Sequence, residues 1–239
     1  MSWQIPFTWE GESVWILGGG PSVYKQFEIP LTLIEEVVKL KKPFSVLSDY
    51  LSPIHNKRVI GINNAYKLGN WIDIIYFGDC AFYVSNRIGL AEYTGIKISA
   101  CPRFAKNTKD RIRHIPVHPT KRLGICENPK YTAWNANSGS AALSLVAHLK
   151  CKRVFLLGFD MCVDGKNSHW HGYHHFRFKK PEVADKRKQQ SFDRHLRGFP
   201  FIKDDALRLG IEIFNVNPDS MIKEFPKITL KEALEMDNA

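Results

Sequence analysis

The sequence lacks the features of a membrane or secreted protein. Its 239 residues contain no apolar run of the ~18 residues that a membrane-spanning helix needs. The opening stretch MSWQIPFTWEGES has no basic segment followed by an apolar one, which is the pattern of a secretory leader. We therefore expect a cytoplasmic protein with no membrane span.

Cysteine is scarce, and its spacing does not suggest a disulfide framework. The chain has five cysteines, an odd number with no C-x-x-C pair, and they are Cys80, Cys101, Cys126, Cys151 and Cys162. A small secreted scaffold held by disulfides would show several closely spaced pairs. We expect reduced thiols, most of them packed inside the protein.

Internal repeats and low-complexity tracts are also absent, and what remains is the pattern of an α/β protein. Apolar residues make up 44% of the chain and aromatic residues 12%, which is enough for a sizeable core. Short apolar stretches alternate with helical periodicity, which predicts one Rossmann-like domain over 1–239, a mostly parallel sheet flanked by helices. The predicted strands cover 13–19, 58–63, 73–79, 95–100, 152–161 and 211–218; the predicted helices cover 31–40, 137–151 and 201–210.

A glycine-rich turn directly follows the first predicted strand. It consists of Gly18, Gly19, Gly20, Pro21 and Ser22. Glycines permit a sharp turn and the close approach of a ligand, and free amides at a helix start favour an anion. The turn lacks the Gly-Lys-Ser/Thr of a P-loop, and Val23 occupies the third glycine position of G-x-G-x-x-G. It is either a nucleotide-binding loop or a tight connection without a ligand.

Polar residues follow other predicted strands at the same edge of the sheet. Asn63 and Asn64 end the second strand, and Asp79 ends the third. A second group opens the helix predicted over 137–151, with Ser138 as the expected N-cap, and it consists of Asn137, Ser138, Gly139 and Ser140. Ligands of open α/β sheets bind beyond the carboxyl ends of the strands. We expect these groups to share one nucleotide-binding crevice, although each alone is also typical of a turn or a helix cap.

Four histidines crowd the stretch NSHWHGYHHF, whereas the whole chain has nine. They are His169, His171, His174 and His175. The surrounding segment 164–198 has no strong apolar period, which is typical of a functional lid or an insertion. The cluster could supply a catalytic base on this lid, ligands for a metal ion together with Asp160 or Asp164, or a solvated surface.

The net charge is +10, from 34 lysines and arginines against 24 acidic residues. Basic residues concentrate in 103–122 and 176–197. This charge is either ordinary solvated surface or the footprint of a polyanionic partner, such as nucleic acid or an acidic glycan.

The order of these motifs resembles the bacterial sialyltransferases of glycosyltransferase family 42. The resemblance rests on LGGGPSV, INNAY, NSGSAALSLVAHLKCKRVFLLGFDM, NSHWHGYHH and IEIFNVNPDS, and it leaves the region from 80 to 130 unmatched. The chain also resembles related phage proteins with an H-W-H-G-x-H motif, which would place it in the host cytoplasm, and more distantly the flagellin-associated domain proteins. The resemblance implies a GT-A-type Rossmann-like fold that binds a nucleotide-sugar, typically a CMP-sugar, without an obligatory metal.

The resemblance also implies roles for individual residues. The turn Gly18–Ser22 would approach the donor phosphate, Asn63 or Asn64 would bind the donor, and Ser138 with Gly139 would lie against the nucleotide. The family's catalytic base follows a glycine in the lid. Here Gly172 is followed by Tyr173, so the base maps to His174, and Tyr173 is a candidate for assisting the departing phosphate. His169 and His171 complete the candidate catalytic segment, although the extra histidines depart from the sialyltransferase pattern.

We therefore expect an enzyme that transfers a sugar-type group from a nucleotide-activated donor to an acceptor hydroxyl. The positive charge would suit an acidic acceptor, either a glycan or DNA that carries a hydroxylated base. Two other classes stay open. One is a metal-dependent phosphotransferase or nucleotide-processing enzyme that uses the histidine cluster. The other is a non-catalytic nucleic-acid-binding protein.

Overall fold

The computed structural model describes residues 3–106, 109–162, 169–171 and 191–239, and a seven-stranded sheet forms its centre. The strands are β1 (Ser13–Leu17), β2 (Val59–Ile62), β3 (Ile74–Phe77), β4 (Ile96–Ser99), β5 (Ile112–His114), β6 (Arg153–Leu157) and β7 (Glu212–Asn215). They lie in the order β5-β4-β3-β2-β1-β6-β7, and every neighbouring pair is parallel. The predicted α/β, Rossmann-like fold is therefore confirmed.

Helices cover the sheet and connect its strands. They are α1 (Ser22–Gln26), α2 (Leu31–Val38), α3 (Cys80–Glu92), α4 (Ser138–Leu149), α5 (Phe199–Leu209) and α6 (Leu230–Asn238). Three 3-10 segments, Phe44–Ile54, Asn63–Leu68 and Pro102–Ala105, complete the connections. Gly210 ends α5 in the left-handed conformation at φ 67°, as its position after the last helical residue predicts.

The core has two layers, one on each face of the sheet. Side chains alternate between the faces of a strand, so Trp15 and Leu17 of β1 pack into one apolar cluster and Val14 and Ile16 into the other. All four are fully buried. Burial on both faces explains why the central strands are continuous apolar runs rather than alternating ones.

The predicted strands and helices are all present, with ends displaced by a few residues, but the predicted N-cap of α4 is wrong. The cap is Asn137 rather than Ser138, because the Asn137 side-chain oxygen accepts a hydrogen bond from the Ser140 amide at 2.8 Å. Ser138 is the first helical residue, and its hydroxyl is used elsewhere. Of the predicted lid 164–198, only residues 169–171 and 191–198 lie within the described residues.

The expectation that the thiols are reduced is wrong for one pair. Cys80 and Cys101 form a disulfide, with their Cα atoms 5.5 Å apart. The parallel strands β3 and β4 are neighbours and end at the same edge of the sheet, and each cysteine follows one of these ends within a few residues. Cys126 and Cys151 are free and buried, as expected. Within the described ranges, no helix has the length and apolarity needed to span a bilayer.

Candidate functional site

The order of the strands creates a switch point between β1 and β6. From β1 the chain builds outward through β2, β3, β4 and β5, and it then returns to add β6 on the other side of β1. Connections that leave in opposite directions open a crevice at the carboxyl ends of the two strands, and ligands of open α/β sheets bind there. The glycine turn follows β1 at this place, and Gly158–Asp160 follows β6.

The glycine turn packs directly against the turn that follows β6. The Gly18 amide donates to Leu157 O at 2.7 Å, and the Gly20 amide donates to Gly158 O at 2.8 Å. A Cβ on Gly18 would lie 2.7 Å from Gly158 O, and one on Gly20 would lie 2.6 Å from the same atom. Close packing between the two turns is thus sufficient to explain both glycines.

A buried carboxylate occupies the start of α1. Asp160 is 3% exposed and accepts hydrogen bonds from the Ser22 amide at 2.8 Å, from the Ser22 hydroxyl, and from Asn217 Nδ2 at 2.9 Å. Burial raises the pKa of this carboxyl, although the hydrogen bonds from Ser22 and Asn217 act in the opposite direction. Pro21 has no amide hydrogen, and the amides of Gly20 and Ser22 already donate hydrogen bonds within the protein. These three positions of the turn were expected to bind phosphate, but they offer no open amide.

The His-Trp-His segment 169–171 lies on the glycine turn. The Trp170 amide donates to Gly19 O at 2.9 Å, and the indole Nε1 donates to Gly18 O at 2.9 Å. The Trp170 side chain is 2% exposed, and its ring meets Phe44 edge-on at 6.0 Å between centroids. The two most distinctive stretches of the sequence therefore meet at the switch point, joined by a buried tryptophan.

Two imidazoles flank this tryptophan and lie over the crevice. The rings of His169 and His171 stack at 5.0 Å between centroids. The His169 ring is in contact with Gly19, because a Cβ built there would lie 2.7 Å from His169 Cδ2. Asn64 Nδ2 lies 3.4 Å from both ring nitrogens of His171. The histidine segment thus spans from the end of β1 to the end of β2.

Two amide oxygens at the end of β2 are buried and have no hydrogen-bond partner among the described residues. They are Oδ1 of Asn63 and Oδ1 of Asn64, and Asn64 as a whole residue is 8% exposed. Asn63 has a left-handed backbone at φ 52°, which is uncommon for a residue other than glycine. Buried acceptors without donors are rare in folded proteins, so these two oxygens are candidates for binding the donor groups of a ligand.

The start of α4 faces the same region. Ser138 Oγ accepts a hydrogen bond from the Gly78 amide at 3.1 Å, which ties the helix to the end of β3. The Phe159 ring separates α4 from the glycine turn, since a Cβ on Gly139 would lie 2.9 Å from Phe159 Cζ and one on Gly18 would lie 3.1 Å from Phe159 Cδ2. The amides of Ser138 and Gly139 make no hydrogen bond within the described part of the chain. They are open donors at the positive end of a twelve-residue helix.

The structure thus gathers most of the candidate residues at one edge of the sheet. Asp79 follows Gly78 there and is exposed, with its side chain not capping α3. Ser140 is fully buried and hydrogen-bonded to Asn137, which gives it a structural position. Tyr173 and His174 lie outside the described residues, as does His175. Within the ranges that are described, no three histidine, cysteine or acidic side chains are grouped as metal ligands.

Sequence reasoning missed the structural roles of three residues on which the candidate site depends, although Asp160 had been considered as a metal ligand. Trp170 anchors the histidine segment, Phe159 separates the glycine turn from the start of α4, and Asp160 holds the start of α1. Phe159 and Asp160 fall inside the strand predicted over 152–161, whereas the observed strand β6 ends at Leu157. Because the predicted strand end was placed too late, the position of both residues beyond the sheet was not recognised.

Comparison with known proteins gives a likeness of fold. No family model and no curated protein matches the chain. Among solved structures, the chain is similar to the sialyltransferase CstII from Campylobacter jejuni, which was determined in complex with a substrate analogue, CMP-3FNeuAc. The two proteins share 13% sequence identity and a TM-score of 0.46, over 91% of this chain and 85% of that chain. A likeness at this level carries no assignment of activity.

Proposed function

We propose that this chain is a glycosyltransferase that binds a nucleotide-sugar at the β1–β6 switch point and transfers the sugar-type group to an acceptor hydroxyl. The observation that carries the proposal is the contact of the histidine segment with the glycine turn through Trp170. It brings groups capable of proton transfer to the edge of an α/β sheet at which ligands bind. The order of motifs shared with glycosyltransferase family 42 supports the same function.

The phosphate of the donor is assigned to the start of α4 rather than to the glycine turn. The carboxylate of Asp160 already occupies the start of α1, and it would repel a second anion. At α4, the open amides of Ser138 and Gly139 and the helix dipole both favour negative charge.

The rest of the donor is assigned to the end of β2. The unpartnered oxygens of Asn63 and Asn64 accept hydrogen bonds from the amino group of a base or from sugar hydroxyls. Such donors would satisfy two buried groups that otherwise carry a desolvation cost of about 1–3 kcal/mol each. A ligand without N–H or O–H donors at this point would bind weakly.

The chemical step needs a base for the acceptor and a leaving nucleotide phosphate. A histidine of the lid takes the proton of the acceptor hydroxyl, and the acceptor oxygen forms a bond to the anomeric carbon of the donor. The bond from that carbon to the phosphate oxygen breaks, and its electron pair leaves with the nucleotide. On the resemblance, His174 is this base and Tyr173 assists the phosphate, while His169 and His171 line the approach. No metal ion is required in this scheme.

The acceptor is proposed to be acidic, because the chain carries a net charge of +10. A glycan with carboxylates and a DNA strand with a hydroxylated base both fit this charge. A hydroxyl on a duplex base is accessible only if the base is flipped out or already exposed.

The test begins with the melting temperature of the protein in a panel of nucleotides and nucleotide-sugars. A ligand that binds only the folded state raises the melting temperature. We expect one nucleotide class to do so, and we expect Asn64→Leu to lower the affinity for it, because the unpartnered oxygen is removed. Asn238→Leu is the matched control and should bind normally, because Asn238 is an exposed residue that accepts a hydrogen bond from Lys57, before the start of β2 and thus at the opposite edge of the sheet.

The best donor is then offered acidic acceptors with wild type, His171→Ala and His174→Ala. General-base catalysis is worth about 10²–10⁴ in rate, so His174→Ala should lose turnover on this scale while it still binds the donor. Normal turnover by His174→Ala would reject the assigned base. A protein whose melting temperature responds to no nucleotide would reject the whole proposal.

The same preparations separate the other two classes. Stoichiometric zinc or manganese that is lost on substitution of His169 and His171 would favour a metal-dependent phosphotransferase. Salt-dependent DNA binding without affinity for any nucleotide would favour a non-catalytic nucleic-acid-binding protein.

A further inference from the structure

A second, strongly basic cavity lies away from the switch point, beside the edge strand β5. Its volume is about 550 Å³, within the range of small-molecule sites. Residues of α3, the start of β4 and the loop that leads into β5 line it. Five of the lining side chains are cationic, namely Arg87, Lys97, Lys109, Arg111 and Arg113, and Asp110 is the acidic one.

Lys97 is the most unusual of these cations because it is buried within the sheet. The residue is 6% exposed, and its register partners on the neighbouring strands are Ile75 and Ile112. Its ammonium donates to Tyr93 O at 2.7 Å and lies 5.6 Å from the centroid of the Tyr93 ring. It has no ion pair with a carboxylate in the described part of the chain. Buried lysines are usually paired, because an isolated charge in an apolar layer is costly.

Burial lowers the pKa of Lys97, and the nearby charge of Arg111 lowers it further. An ammonium has three N–H donors, and the bond to Tyr93 O uses one of them. Lys97 is a lining residue of a cavity that other cations also line. An anion in this cavity would satisfy the remaining donors and relieve the repulsion between Lys97 and Arg111.

The arginines around the cavity are also without carboxylate partners in the described residues. Arg87 and Arg111 are exposed and take part in no ion pair there, and Arg113 lies 5.6 Å from the centroid of the Trp3 ring. Elsewhere, surface arginines such as Arg58 and Arg208 are paired with glutamates. Arg111 also has a left-handed backbone at φ 53°, and such strained residues concentrate at functional sites.

The acidic residue of the cavity is engaged by a neighbour. The hydroxyl of Tyr83 donates to Asp110, and this contact contributes to the raised pKa of Tyr83, after burial. Asp110 therefore offsets only part of the positive charge around the cavity.

We propose that this cavity is a second anion-binding site, which takes a ligand carrying two or more phosphate groups. A guanidinium group can donate two parallel hydrogen bonds to a phosphate, and Arg87, Arg111 and Arg113 offer more than one such contact around a single space. Lys97, a buried residue of the cavity lining, supplies a further positive charge. The source of the phosphates is either a free oligophosphate or the backbone of a nucleic acid strand.

Binding of inorganic tripolyphosphate and of a fluorescein-labelled twelve-nucleotide oligothymidylate tests the site. The protein is compared with Arg87→Ala/Arg111→Ala, in which both changes are at exposed positions and should leave the fold intact. The matched control, Lys203→Ala/Lys231→Ala, removes two exposed positive charges from α5 and α6 and so gives the same net charge. If the cavity binds phosphate groups, the arginine variant should bind the probe at least about tenfold more weakly than the wild type, and the control should bind it almost normally.

A third variant, Lys97→Met, probes the buried cation. Replacing an unpaired buried charge by an apolar side chain of similar length should not lower the melting temperature, yet it should weaken binding of the same probe. If both double variants bind equally, or if the wild type binds neither probe, the proposal is wrong. Tripolyphosphate binding alone identifies a free oligophosphate as the ligand class, and pocket-dependent oligothymidylate binding identifies a nucleic acid strand.

Discussion

Asp160 is the residue that most constrains how the candidate site can work. Its carboxylate is buried and receives hydrogen bonds from Ser22 and Asn217, so it fixes the start of α1 against the end of β6. The glycine turn is consequently held by the protein itself rather than left open for a ligand. For this reason the proposed donor phosphate is placed at the start of α4.

The pKa of Asp160 makes its contribution to stability depend on pH. Because burial raises the folded-state pKa above the unfolded value, the folded protein holds the proton more tightly. The associated stability is present below the unfolded pKa and is lost as the pH rises through the folded pKa. We expect the free energy of unfolding of wild type to fall relative to that of Asp160→Asn between pH 4 and pH 7.5. Urea unfolding of both proteins at several pH values measures the difference between their free energies of unfolding. A difference that does not change with pH would contradict the prediction.

Two adjacent glycines should respond differently to the same substitution. A Cβ on Gly20 would lie 2.5 Å from Asp160 Oδ2 and 2.6 Å from Gly158 O, whereas the three nearest atoms to a Cβ on Gly19, among the described residues, belong to the imidazoles of His169 and His171. We expect Gly20→Ala to lower the free energy of unfolding by about 1–3 kcal/mol, as overpacking of a rigid contact does. Gly19→Ala should cost less and should mainly weaken nucleotide binding. Chemical unfolding with parallel binding measurements checks this, and equal losses of stability would contradict it.

At the residue scale, sequence reasoning identified positions better than it identified partners. Asn64 and His171 were each selected from their own local pattern, and the structure brings them within 3.4 Å. The buried role of Asp160 was not predicted, because three-dimensional contacts with Ser22 and Asn217, far apart in the chain, create it. Local spacing carries no information about such contacts.

At the scale of elements, the docked segment 169–171 is the least expected feature. It makes no regular secondary structure, yet Trp170 is as buried as the central strands. A single side chain therefore acts as the anchor of the segment on the glycine turn.

Substitution of Trp170 should separate packing from hydrogen bonding. Trp170→Phe keeps most of the apolar contact but loses the bond to Gly18 O, which costs about 1 kcal/mol. Trp170→Ala also leaves a cavity and should cost about 3–5 kcal/mol. Both variants should weaken nucleotide binding, because the imidazoles on either side lose their support. Trp134→Phe, at a tryptophan that is 44% exposed, is the control. If chemical unfolding shows that Trp134→Phe loses as much stability as Trp170→Phe, Trp170 does not act as an anchor.

Three elements, α3, β5 and α6, were not predicted from the sequence, and for α3 and β5 the reason is physical. Helix α3 (CAFYVSNRIGLAE) buries only Tyr83 and Leu90, so its apolar periodicity is weak. Strand β5 has three residues, two of them polar, and pairs on one side only. For α6, a usable signal was present, because Thr229 and Glu232 form a capping box. Strong apolar runs were predicted well, including the edge strand β7, whereas the largely polar β5 and the weakly amphipathic α3 were not.

At the scale of the whole molecule, one covalent link crosses the outer part of the sheet. The Cys80–Cys101 disulfide connects the start of α3 to the end of β4 and encloses a separation of 21 residues. It thereby ties together α3 and β4, which both contribute residues to the lining of the basic cavity.

Reduction of this disulfide should lower the free energy of unfolding by about 3 kcal/mol, the loop-entropy value for a loop of this length. Unfolding of the wild type with and without a reductant measures the effect. Cys80→Ser/Cys101→Ser should unfold at the lower value in both conditions. A wild type that is insensitive to the reductant would contradict the prediction.

The central position of β1 has a consequence for synthesis on the ribosome. β1 pairs with β2 early in the chain, but its other edge stays open until β6 arrives, when Trp15 meets Phe155. Until that point the nascent chain exposes an apolar strand edge, which is a template for unwanted pairing between molecules. The pairing of β1 with β6 can therefore form only after the β1–β5 half of the sheet has been synthesised, and truncations that stop before residue 157 should yield aggregating rather than folded protein.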